Sequence, residues 1–130
     1  MHKAPSYEAF EWALTTLDEA LSKPPANDLE RDGVIQRFEF TFECAKRSIR
    51  ECLIALGRVD VSSSPKPLLR DAHAERLIDS VNEWFEFVEA RTNAARVYTP
   101  RMAEEVYEAA VRFAPKAREL MVRLTWAVNP

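Results

Sequence analysis

Apolar side chains recur at steps of three and four through nearly the whole chain and nowhere alternate with period two, which confines the fold to packed helices. The first stripe is Tyr7, Phe10, Leu14, Leu17 and Leu21, predicting a helix over residues 6–22 that stops at Lys23-Pro24-Pro25. Asn27, followed three residues later by Glu30, has the form of a capping box for a second helix over residues 28–56. Its stripe is Ile35, Phe38, Phe42, Ala45, Ile49, Cys52 and Leu56, and Gly57 stands where a C-cap glycine belongs. Phe40 and Cys44 lie off that stripe, so this helix is either central or at a subunit interface. Gly33 weakens the helix locally and marks a late start, a kink or a close backbone contact.

After a polar loop, Pro65 or Pro67 opens a short third helix over residues 65–77. Asp79 or Ser80 caps a fourth, with Leu77, Val81, Trp84, Phe85, Val88 and Ala95 on its apolar side. Thr99-Pro100 starts a fifth, whose stripe is Met102, Val106, Ala110, Phe113, Ala117, Leu120 and Leu124; Pro115 inside it predicts a bend near Arg112. The expectation is an all-α, up-and-down four-helix bundle with one additional short helix, residues 1–130 forming one domain.

Several classes of chemistry are disfavoured. Lys plus Arg number 18 and Asp plus Glu 21, a formal charge of −3, so any hold on nucleic acid or anionic lipid must be local. No apolar run reaches the roughly 18 residues of a membrane span, and Met1 to Glu8 has no hydrophobic signal core, which predicts a cytoplasmic protein without membrane contact. Cys44 and Cys52 are separated by about 12 Å along one helix, beyond the about 7 Å that a disulfide tolerates. They read as reduced, buried thiols. His2 and His73 have no second histidine or cysteine at ligand spacing, so no metal site is expected. Glu83, Glu86 and Glu89 read as a solvated face near a helix N-terminus, and no catalytic residue is assigned.

The segment that invites a functional reading is RTNAARVY, residues 91–98. Arg91, Arg96 and Arg101 surround one helix-to-helix connection, with Asn93 and Tyr98 among them. Guanidinium forks hold phosphate or carboxylate but cannot give up a proton, so the cluster suits anion binding and not proton transfer. The alternative is that these cations only complement a helix C-terminus. Saturation of the arginines by acids such as Glu89 or Glu104 would leave a dimerisation module without a ligand site.

Residues 33–47, GVIQRFEFTFECAKR, closely resemble the second helix of the nucleotidyltransferase substrate-binding protein family, part of the HEPN superfamily. Ser64-Pro65, Arg70-Asp71-Ala72, Leu77-Ile78-Asp79 and Trp84 follow that family's order, and residues 91–98 fall where it carries Arg-x4-His-x-Tyr. The resemblance implies a homodimeric bundle like the C-terminal domain of kanamycin nucleotidyltransferase, acting with a small separate nucleotidyltransferase that brings the ATP and magnesium. It implies no cofactor on this chain. It further implies that Arg91 is the motif arginine and Tyr98 an AMP acceptor, while the arginine cluster itself points to Arg91, Arg96 and Asn93 as the groups that hold substrate or phosphate. Toxin-type relatives are metal-independent ribonucleases neutralised when the partner modifies that tyrosine, which makes RNA an alternative substrate. Here Arg96 stands where the family has histidine. An arginine cannot shuttle a proton, so the resemblance argues for a non-catalytic partner subunit over the ribonuclease alternative. Lys46 also departs from the aromatic residue that relatives often carry there.

Overall fold

The structure, a computed structural model, describes residues 5–128. They form five helices: α1 (Glu8–Leu21), α2 (Asp28–Ala55), α3 (Pro65–Ala74), α4 (Val81–Ala94) and α5 (Pro100–Val128). No strand occurs among the described residues. His2 lies outside them.

Local chemistry explains the helix ends. The Asn27 side chain accepts from the Glu30 amide at 2.9 Å, while the Glu30 carboxylate accepts from the Ala26 amide at 3.0 Å, one residue earlier than in a standard capping box. Ser80 caps α4 by accepting from the Glu83 amide at 3.1 Å, and Thr99 accepts from Met102 at 3.2 Å at the start of α5. At the far end of α2, Gly57 adopts φ +94°. The Gly57 amide donates to Ile54 O and the Arg58 amide to Leu53 O, which satisfies two carbonyls that the helix leaves open.

The predicted third helix is too long. α3 ends at Ala74, because Arg76 takes a left-handed φ of 61° and the amides of Arg76 and Leu77 turn back onto His73 O and Ala72 O. The same C-terminal motif is thus built without glycine, and a sequence scan keyed to glycine passes over it. The stop releases Leu77 and Ile78 from the helical register, and both are buried.

α2 packs against each of the other four helices and is central in the bundle. Cys44 is buried while Phe40 is 48% exposed and meets the half-exposed Trp12 edge-on, ring centroids 6.0 Å apart. Within the core, Phe113 of α5 is the hub: Phe38, Phe42, Trp84 and Phe87 surround its ring at 5.2 to 6.0 Å. Phe87, absent from the predicted stripe of α4, is fully buried, whereas Phe85 and Val88 are only partly so. The Thr41 hydroxyl, fully buried, lies 2.7 Å from Arg37 O and 3.1 Å from Ala13 O, and so ties α2 to the backbone of α1.

α5 runs unbroken through Pro115. The carbonyl deprived of its partner there belongs to Val111, a 46% exposed residue, so water can take the place of the missing amide. At Gly33 the helix has already begun and a Cβ would meet nothing within 4 Å, which removes both the late start and the close contact as explanations. Gly33→Ala is expected to raise stability by about 0.5–1 kcal/mol through helix propensity alone. Thermal unfolding checks this, and a lowered melting temperature would show that the open face at Gly33 needs the space.

Both cysteines are free and buried, and burial pushes each thiol above its ordinary pKa. Since the thiolate is the reactive form, neither should react with a thiol reagent at neutral pH until the chain unfolds. Rapid labelling of one cysteine in the native protein would contradict this burial.

Candidate functional site

The arginine of the 91–98 segment that the sequence places first is not free. Arg91 leaves α4 toward α2, where its Nη1 lies 3.2 Å from Glu39 Oε2 and its Nε 3.3 Å from Glu43 Oε1. Nε is buried and off the hydrogen-bonding angle to that oxygen, so the second contact is an ion pair without a directed hydrogen bond. Glu43 also meets Lys46 at 3.2 Å, which makes a four-member array, Glu39, Arg91, Glu43 and Lys46. The acids that occupy Arg91 are therefore Glu39 and Glu43 and not Glu89 or Glu104. Spaced four apart on one face of α2, they were recognisable as a pair, but nothing in the sequence pointed them at α4.

The other members of the cluster sit differently. Asn93 is two residues beyond Arg91, and two steps of a helix turn a side chain through about 200°. It faces an open groove between α4 and α5 of about 520 Å³, lined by Glu86, Glu89, Glu105 and Arg112. Three carboxylates against one guanidinium make that groove a poor receptor for an anion. The structure thus does not bring Asn93 beside Arg91. Arg101 is exposed and paired with Glu105 at 3.4 Å, an i,i+4 contact of little strength.

Arg96 and Tyr98 remain. α4 ends at Ala94, and the amides of Ala95 and Arg96 turn back onto Thr92 O and Asn93 O, so Arg96 lies in the turn with its side chain in solvent. Tyr98 is 82% exposed, two residues before the proline that opens α5. Neither side chain enters an ion pair or a side-chain hydrogen bond among the described residues. An exposed phenol with an unsatisfied guanidinium two residues away can meet a phosphate from outside. Arg91, held by two acids, serves to fix the end of α4 against α2.

Among the described residues, no three His, Cys, Asp or Glu side chains come together in a way that could hold a metal. No helix of the described residues is long and apolar enough to cross a membrane.

The family model described as "nucleotidyltransferase substrate binding protein like" matches residues 5–125. Two solved structures are similar over most of their length. One, from Thermus thermophilus, is 26% identical with a TM-score of 0.82, covering 88% of this chain and 98% of that one. The other, from Haemophilus influenzae, is 21% identical with a TM-score of 0.82, covering 92% of this chain and 98% of that one. It is described as revealing the fold of a substrate binding domain of a nucleotidyltransferase, and at that identity the likeness speaks for the fold alone. No curated protein matches the chain.

Proposed function

The chain belongs to the nucleotidyltransferase substrate binding protein like family, and from that membership we propose that it is the non-catalytic partner subunit of a two-component nucleotidyltransferase, presenting Arg96 and Tyr98 to that partner. The observation that carries this reading is the contrast between Arg91, occupied by Glu39 and Glu43, and the open Arg96 and Tyr98 at the α4–α5 connection. ATP and magnesium belong to the separate catalytic chain, and this subunit pairs with a second copy of itself in an up-and-down bundle dimer. The pair resembles a toxin–antitoxin system in organisation.

In this role Tyr98 is the acceptor of an adenylyl group. Its oxygen attacks the α-phosphorus of ATP, one phosphorus–oxygen bond forms, the bond to the β-phosphate breaks, and pyrophosphate leaves. The phenol proton passes to a base of the catalytic partner or to water. Arg96 can neutralise the charge that grows on the α-phosphate, which a fixed cation does as well as any proton donor. Cleavage of RNA by this chain is not supported, because a general base is needed at the position that Arg96 holds and a guanidinium stays protonated.

Co-purification with a nucleotidyltransferase encoded beside this chain, followed by intact-mass measurement after incubation with ATP and magnesium, tests the proposal. A stoichiometric complex is expected, with one adenylyl group on Tyr98. Absence of any complex removes the partner-subunit reading, and metal-independent RNA cleavage by the purified chain would replace it with the ribonuclease reading.

A further inference from the structure

The protein is acidic overall, yet its third helix and the turn after it gather basic side chains that enter no ion pair among the described residues. Lys66, Arg70 and His73 follow one another at steps of four and three, which sets them on one face of α3. Arg76 stands in the turn immediately after it. All four are exposed, and none of them enters an ion pair among the described residues. The neighbouring acids are committed elsewhere: Asp71 and Glu75 meet Arg58 at 3.2 and 2.9 Å, and Asp79 meets Arg123 at 2.8 Å. Asp71 and Glu75 share the one cation of Arg58, so the three fixed cations Lys66, Arg70 and Arg76 outweigh the single negative charge left beside them.

Aromatic surface accompanies these charges at both ends. Lys66 Nζ and the Arg70 guanidinium stand 5.4 and 5.3 Å above the centroid of Phe85. Beyond Arg76 the α3–α4 turn and the end of α5 enclose an open groove of about 770 Å³, lined by His73, Arg76 and Trp126 and also by the carboxylates of Glu75 and Asp79, which are paired with Arg58 and Arg123. Trp126 is 65% exposed and offers an indole to this groove. Arg123 lies in the same groove but is a brace and not a receptor, being held by Asp79 and by Glu119 at 3.0 Å. It also donates to the Arg76 carbonyl at 3.3 Å and so anchors the turn that carries the Arg76 side chain.

We propose that the α3 face and the adjoining groove form a track for single-stranded nucleic acid, with Lys66, Arg70 and Arg76 on successive phosphates and a base stacked on Trp126. The cations from Lys66 to Arg76 extend over about 15 Å, enough for a few phosphates of an extended strand. Aromatic stacking with unpaired cations along a groove is the combination by which single strands are held without regard to sequence. A duplex keeps its bases stacked inside and has none to offer Trp126, so the track selects single strands. It starts where α4 begins, a helix length of about 20 Å from the α4–α5 connection, and does not depend on the partner-subunit reading.

Fluorescence anisotropy with a labelled single-stranded decamer, against a duplex of the same length, tests this on the intact chain. At 50 mM salt the single strand is expected to bind with Kd on the order of 10 µM, and the duplex more weakly. Lys66→Ala with Arg70→Ala is expected to weaken binding at least tenfold and to reduce the slope of log K against log salt by about 1.4, two phosphate contacts' worth for a single strand. Trp126→Ala should weaken binding several-fold with the salt slope unchanged, which separates stacking from charge. All three residues are exposed, and circular dichroism checks that the variants remain folded. The proposal is overturned by three results: no binding at about 100 µM, binding that survives these substitutions but is lost on Arg96→Ala, or capture of an acidic protein partner by the α3 face without any oligonucleotide binding.

Discussion

Replacing Phe113 with alanine is expected to lower the stability of the protein by about 3–5 kcal/mol, the largest loss of any single truncation in the core. Its ring is fully buried and touches four other aromatic rings drawn from α2 and α4. Deletion removes the transfer free energy of the ring and leaves a void that rigid neighbours cannot close, and it also removes edge-to-face contacts worth about 0.5–1.5 kcal/mol apiece beyond burial. In thermal unfolding this corresponds to a fall on the order of 10–20 °C. Val111→Ala, two residues away on the exposed side of α5, should change stability by about 0.5 kcal/mol or less. Equal losses from the two variants would mean that Phe113 is not the hub that joins the helices.

Tyr98→Phe is expected to abolish adenylyl transfer to this chain completely while leaving its stability and its complex with the catalytic partner intact. The substitution removes one exposed oxygen and no packing, since Tyr98 is 82% exposed. Arg96→Ala should be equally silent in stability yet weaken the phosphate contact by roughly 10- to 100-fold, the worth of a charge-assisted hydrogen bond. Arg91→Met should behave in the opposite way. It leaves Glu39 and Glu43 without their common cation, costs on the order of 1 kcal/mol because all three groups are partly exposed, and affects adenylyl transfer only through the position of the α4 terminus. Intact mass, anisotropy with labelled ATP analogues and urea titration separate these three behaviours. An adduct that persists in Tyr98→Phe would move the acceptor to another residue, and one lost in Arg91→Met at full stability would return Arg91 to direct contact with the nucleotide.

Five helices, their order and most of their termini could be read directly, because capping and amphipathic spacing act over four residues or fewer. Asn27, Ser80 and Thr99 do at their helix starts what their side chains predict, and Gly57 ends α2 as a glycine in that position should. Where the reading failed, a local competitor was invisible to composition. α3 stops three residues early on a left-handed Arg76, a conformation that arginine adopts only against its own preference. The Arg123 contact that anchors this turn comes from 47 residues away. Phe87 stands three residues after Trp84, at helical spacing, and was missed because Phe85 and Val88 offered a second apolar edge; packing against Phe113 buries Trp84, Phe87 and Ala90 instead.

The candidate site divides along the same line. That Arg91, Asn93, Arg96 and Tyr98 share one connection is a matter of chain order, and the sequence by itself determined it, as it determined that no proton-shuttling side chain stands at position 96. Which of those groups remain open was decided only by the tertiary structure, through the packing of α4 on α2 that delivers Glu39 and Glu43 to Arg91 and leaves Arg96 and Tyr98 without partners. The physical reason is one of range. Helix propensity and capping are satisfied within a turn, whereas an ion pair needs two side chains brought within about 4 Å, and for residues some fifty positions apart only the burial of the apolar faces between them sets that distance.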